Sequence, residues 1–205
     1  MTTVTNFRWL WVLASVLAVL LLQLAGEAVL AALEYRRSAM LDGYQWWRLA
    51  SAHVVHLNFA HAAMNSAALV LVLALVGRAL TVLGWLASFV LLSLSISVSL
   101  LLFAPELSGY AGASGVVHGL LAIGCVLRWS SHRLESTLLL LGLALKVCWE
   151  TYYGASVSSV ELIGAPVITL AHLIGTCAGS AGALLLIAFS RWRRRAGEHV
   201  VPSRH

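Results

Sequence analysis

The sequence predicts an all-α membrane protein: a bundle of six transmembrane helices with an outer loop embedded in the bilayer. Three observations lead there. Apolar residues make up 60% of the 205 residues and charged ones only 10%, against about a quarter charged in a soluble domain. The apolar residues fall into runs of the length that crosses a hydrocarbon core about 30 Å thick. The remaining charges gather mostly between those runs. The whole chain, 1–205, reads as a single transmembrane domain with a short N-terminus (1–8) and a basic tail (191–205). No stretch is both polar enough and long enough to form a separate soluble domain.

The first span is expected over 9–33. It is too long for the apolar part of a signal peptide, and no small-residue cleavage site follows it, so it reads as retained. A polar stretch, 34–60, comes next and holds Trp46, Trp47 and Arg48. Tryptophans beside an arginine suit the headgroup zone, which places this loop at the membrane surface. The second span is expected over 61–76, ending at Gly77-Arg78, and the third over 80–103. A Pro/Gly-containing loop, 104–113, leads to the fourth span, 114–127, which stops at Arg128. A polar connection, 129–136, precedes the fifth span at 137–149. The loop 150–166 leads to the sixth span, 167–189, and the basic tail follows.

With six spans both termini share a side. The segments on that side hold nine basic residues (Arg8, Arg78, Arg128, Arg133, Arg191, Arg193, Arg194, Arg195 and Arg204), and the opposite side holds four (Arg36, Arg37, Arg48 and Lys146). The imbalance predicts cytoplasmic termini. It also explains the formal charge of +5: four of the arginines flank the last span as a membrane anchor, and no nucleic-acid partner is expected. Cys125, Cys148 and Cys177 show no CxxC or Cys/His metal spacing and read as small buried hydrophobes. Neither a metal nor an organic cofactor is implied, and nothing in the residues speaks to oligomeric state.

The fourth span is short, about 21 Å at 1.5 Å per residue, so it is expected to begin below the outer surface. The loop before it must then enter the membrane, and irregular backbone survives at that depth only inside protein or beside a wet cavity. A water-accessible pocket is expected at the start of the fourth helix.

That point carries Gly112-Ala113-Ser114-Gly115. Glycines on either side leave the hydroxyl uncrowded, and unpaired N–H groups at a helix start favour a developing oxyanion. An ordinary N-cap serine gives the same pattern. The sixth span contains His172, which is costly in an apolar span and therefore a functional candidate, although a hydrogen-bonded packing residue fits too. Gly175 and Gly179 share about the face of His172, and Gly115 and Gly119 form a matching stripe on the fourth helix. Facing stripes of this kind let two helix backbones approach closely, which would bring Ser114 and His172 together as nucleophile and base. No acid to complete a triad is apparent, so a Ser–His dyad is expected. Lys146 and Glu150, four apart, read as a helix-surface pair. His61 and Asn65, also four apart on one face, are either oxyanion donors or interhelical glue.

This set resembles the rhomboid intramembrane proteases: Trp47-Arg48 in the first loop, His61 and Asn65 in the second span, Gly112-Ala113-Ser114-Gly115, and Ala171-His172-Leu173-Ile174-Gly175 with Gly179. The resemblance covers about 45–180 in matching order. It implies Ser114 as nucleophile, His172 as general base, His61 and Asn65 as oxyanion donors with the Ser114 N–H, and His56 as a structural histidine of the outer loop. The sequence departs from many rhomboids at His118, where a tyrosine often packs on the catalytic histidine, and at Gln45, where an acidic residue is common. His118 either tunes the base or packs against it and orients it.

The run from Gly112 to Gly119 and the short chain look like the rhombosortase branch. That resemblance implies a bacterial inner-membrane enzyme with its site opening to the periplasm. Its substrate would be a membrane-anchored secreted protein with a C-terminal transmembrane tail bearing Gly-Gly. A general rhomboid protease acting on single-span proteins is the second reading, and a protease-dead binder of membrane proteins the third, though the latter would lack Ser114 or His172. A small transporter would show internal repeats, and none is evident.

Overall fold

The computed structural model describes residues 2–198. Among the described residues the long helices are α1 (Thr2–Leu24), α5 (Phe59–Val76), α6 (Val82–Phe103), α7 (Ser114–Arg128), α8 (Arg133–Tyr153) and α10 (Thr169–Glu198). Short elements fill the connections: α2 (Glu27–Leu33), β1 (Tyr35–Arg36), α3 (Arg37–Leu41), α4 (Arg48–Ser51), β2 (Gly109–Tyr110) and α9 (Val157–Ile163). Three of the long helices (α5, α6 and α10) are each long and apolar enough to cross a membrane, and the bent pair α1–α2 would make a fourth. The chain is a mostly helical membrane protein.

Several boundaries differ from the sequence reading. The expected first span over 9–33 is broken: α1 and α2 meet at a bend of 111° beside Gly26, whose φ is +83°, a value glycine adopts without steric cost. The fifth helix reaches Tyr153 instead of stopping at 149, which puts Glu150 on a helix and not in a loop. The sixth continues to Glu198, so Arg191 to Arg195 extend it as helix; the end of the basic tail, 199–205, lies outside the described residues. The side chain of Arg48 does not reach the protein surface. It is buried, and its guanidinium donates to the carbonyls of Ala31 (2.9 Å) and Glu34 (2.7 Å) and to Gln45 Oε1 (2.8 Å). Ala31 lies in the last turn of α2 and Glu34 caps that helix, so neither carbonyl has a helical partner. Trp47 adds a bond to Ala32 O at 3.2 Å. Gln45 therefore still orients Arg48 without a charge.

Size sorting holds the bundle together. Leu13, Leu17, Leu91, Phe103, Leu145 and Leu185 point outward, while Ser93, Ser97 and Ala122 are fully buried. Among lipid tails a large side chain gains little by turning inward, and small residues let helices touch. The α7 helix is central and packs on α5, α6, α8 and α10. Hydrogen bonds tie one end of the bundle: Arg128 at the end of α7 reaches Leu75 O at the end of α5 and Glu135 at the start of α8. At the other end lie the starts of α5, α7 and α10 and the end of α8. There β1 and β2 pair antiparallel, Tyr35 with Tyr110 and Arg36 with Gly109.

Candidate active site

The loop before α7 is fixed from behind. The Gly112 N–H donates to Ala52 O at 2.9 Å, and the Tyr110 hydroxyl donates to Gly112 O at 2.7 Å. Gly112 has φ +124°, and a Cβ there would stand 2.6 Å from Cε1 and 2.7 Å from Nε2 of His61. Both conformation and space require glycine. The chain leaves this turn directly into α7 with Ser114 as its first residue.

Ser114 Oγ lies 2.8 Å from His172 Nε2, across 58 positions of sequence. The glycine stripes make this approach. A Cβ on Gly115 would meet Ala171 O at 2.6 Å, and one on Gly119 would meet Gly175 O at 2.7 Å. Gly175 and Gly179 face Gly115 and Gly119 in return. With α7 and α10 this close, a serine and a histidine at the same end reach each other without long side chains.

The expectation that no acid lies near His172 is overturned. Glu150 Oε2 sits 2.8 Å from His172 Nδ1, and Glu150 Oε1 accepts from Lys146 Nζ at 2.6 Å. The Lys146–Glu150 pair exists, but it is more than a surface pair, because the second carboxylate oxygen reaches the histidine. The apolar run of the fifth span ends at 149, so the sequence reading placed Glu150 in the following loop; the added helical turn carries it to the bundle end where α10 begins.

His118 stacks on His172, with ring centroids 4.2 Å apart and planes 8° from parallel. Its Nδ1 lies 2.7 Å from Ser114 O. A carbonyl only accepts, so that nitrogen carries the proton. His118, Glu150 and His172 bring ligand-type atoms within 4.8 Å of one another. Both nitrogens of His172 are already engaged, so a metal ion here would have to displace the contact to Ser114 or the one to Glu150.

His61 and Asn65 are buried on α5 and line the same cavity as Ser114 and His172, a space of about 690 Å³. Among the described residues, His61 Nδ1 and Asn65 Nδ2 have no hydrogen-bond partner. Buried polar atoms left without partners are uncommon, and these two are available to a bound group. Asn58 starts α5: its Oδ1 accepts from His61 N at 2.8 Å, and its Nδ2 donates to Leu162 O and Ile163 O at the end of α9. The connection 154–168 is thereby fastened over the cavity rim.

His56 packs edge-on against His61, ring centroids 5.0 Å apart. Sequence reasoning missed His53, which is fully buried and holds Ser97 Oγ of α6 at 2.9 Å. Its neighbour Ala52 accepts from Gly112, so His53 braces the loop that carries the serine turn. Burial pushes His53 down to about 4 and His56 to about 3, the latter helped by the nearby His61, so both are neutral near pH 7. The only sequence signal for His53 was a second histidine three positions before His56. The three cysteines are free; Cys125 is buried as expected, whereas Cys148 and Cys177 are exposed.

The family model for the Rhomboid domain matches residues 43–189, well over half of the chain. The chain belongs to the rhomboid family. The matched stretch of this rhomboid takes in Trp47-Arg48, His61, Asn65, Ser114, Glu150 and His172. Rhomboids are in general intramembrane serine proteases that act on membrane proteins within the bilayer. No curated protein matches the chain.

Proposed function

We propose that this rhomboid is an intramembrane serine endopeptidase with Ser114 as nucleophile and His172 as general base, of the rhombosortase type. The observation that carries the reading is the 2.8 Å contact between Ser114 Oγ and His172 Nε2, in a cavity lined by unpartnered polar atoms of His61 and Asn65. Hydroxyl and base stand at hydrogen-bonding distance before any substrate arrives.

As Oγ bonds to the scissile carbonyl carbon, Nε2 takes its proton. The oxyanion that forms is held by the Ser114 N–H at the positive end of α7 and by His61 and Asn65. The C–N bond then breaks, and the imidazolium passes its proton to the leaving nitrogen. His172 next takes a proton from water, the new hydroxyl displaces Oγ, and Ser114 regains its proton. Gly112, Gly115, Gly175 and Gly179 set the geometry, and His118 packs on the face of the base and orients it. His56 supports His61.

The rhombosortase reading rests on the run Gly112 to Gly119 with His118 inside it. The substrate would be a membrane-anchored protein with a C-terminal tail of Gly-Gly, apolar helix and basic end. A basic end stays cytoplasmic, which puts the Gly-Gly segment at the outer face. The arginine-rich end of this rhomboid is opposite Ser114, so an inner-membrane orientation with cytoplasmic termini opens the site to the periplasm on the same side as that segment.

A fluorophosphonate serine probe is expected to label Ser114 in the wild type and to fail with Ser114→Ala. Ser114→Ala and His172→Ala are each expected to abolish cleavage of a tail-bearing substrate while the protein stays folded and inserted. Retained cleavage in either variant refutes the assignment. Equal cleavage of a substrate without Gly-Gly refutes the rhombosortase type and leaves the protease intact.

A further inference from the structure

We propose that Glu150 is the third member of the catalytic group, a positioning residue that fixes the tautomer and direction of His172. The inference rests on the assignment of Ser114 and His172 above and deepens it.

For Nε2 to accept the serine proton, the neutral imidazole must carry its own proton on Nδ1. The His172 ring is buried, so a neighbouring group selects that tautomer. Glu150 Oε2 stands 2.8 Å from Nδ1, and an ionised carboxylate is acceptor-only. The contact is therefore Nδ1–H donating to Glu150, which leaves the Nε2 lone pair directed at Ser114 Oγ. The opposite tautomer would place an N–H against Ser114 and a lone pair against a carboxylate.

The carboxylate is itself held. Lys146 Nζ donates to Oε1 at 2.6 Å from one helical turn away. Side-chain exposure falls along the chain of contacts, 48% at Lys146, 12% at Glu150 and 5% at His172. A cation at the wet rim keeps the acid ionised, and the acid faces the buried ring. His118, stacked on that ring, blocks it from rotating about its own axis. When Ser114 gives its proton to Nε2, the ring becomes an imidazolium with both nitrogens protonated. Glu150 then faces a full positive charge and stabilises it without taking the proton.

The test uses the full-length protein reconstituted in bilayers, with a tail-bearing substrate and with ¹⁵N-labelled histidine. In the wild type at rest, ¹⁵N shifts are expected to show His172 protonated at Nδ1, with that proton far downfield; a His172 protonated at Nε2 overturns the proposal without reference to activity. Glu150→Gln, nearly isosteric, is expected to lower kcat by roughly 100- to 10,000-fold, to leave KM near its wild-type value and to remove the downfield proton. Glu150→Asp, which keeps the charge, is expected to recover part of the loss. A Glu150→Gln enzyme with wild-type kcat, or an equal loss in the Gln and Asp variants, overturns the proposal. Its failure is distinguishable from failure of the Ser–His assignment: in the first case the probe still labels Ser114 at the wild-type rate in Glu150→Gln, and in the second it never labels Ser114 at all.

Discussion

At position 112 the space admits only a hydrogen atom, because a methyl would stand 2.6 Å from Cε1 of His61. The backbone there is also left-handed, at φ +124°, so an L side chain is strained whatever its size. Gly112→Ala is expected to push the His61 ring out of the cavity and lower kcat by roughly 100-fold, about the loss from removing one oxyanion donor. His61→Ala is expected to produce a similar loss. If Gly112 acts through His61, the double variant should be little worse than either single one, since residues in contact are not additive. Steady-state kinetics on the three variants checks this; a fully multiplicative double loss would separate the two residues.

The α7–α10 pair is the element on which the site depends. Its glycines meet backbone to backbone, Gly115 against Ala171 and Gly119 against Gly175, and that contact decides how far Ser114 stands from His172. Gly175→Ala puts a methyl against Gly115 and must part the helices. It is expected to cost about 1–3 kcal/mol, the usual range for overpacking, and to lower activity without touching a reacting atom. Gly142→Ala on α8 is the matched control: nothing lies within 4 Å of its added methyl, and alanine is the better helix former. Its stability is expected to hold or rise slightly. Unfolding titrations and cleavage rates on both variants test the contrast.

Across the whole molecule, the arginine-rich cluster and the candidate site occupy opposite ends. Arg78, Arg128 and Arg133 cluster where α5 and α7 end and α8 begins, and Arg191 to Arg195 continue the C-terminal part of α10. Ser114, His61, His172 and Glu150 sit at the other end. By the positive-inside rule, the proposed orientation has the site facing outward. Two single cysteines placed in a background without native cysteines report the orientation. Ser158→Cys on α9 is expected to react with a membrane-impermeant maleimide in intact cells, and Ser131→Cys, between α7 and α8, only after the membrane is opened. The reverse labelling would invert the orientation and turn the site to the cytoplasm.

The sequence by itself determined what local chemistry can express. Apolar runs and arginine counts mark a membrane protein, Gly112-Ala113-Ser114-Gly115 marks a turn that opens a helix, and the two glycine stripes mark helices that touch. The short α7 was legible because its start and its stop at Arg128 are both written in residue type. The tertiary structure decided what depends on where helix ends meet. The 111° break between α1 and α2 falls at Gly26-Glu27, a glycine and a single charge inside an otherwise mostly apolar run, so hydropathy averaged over the run does not register it. The burial of Arg48 is not legible in the sequence because its partners include backbone carbonyls of another segment, which leave no trace in composition. Glu150 was read as a loop residue paired only with Lys146; one more helical turn on α8 and the packing of α8 beside α10 aim it at His172. A carboxylate acts on an imidazole only through distance and direction, and both are set by the packing of segments far apart in sequence.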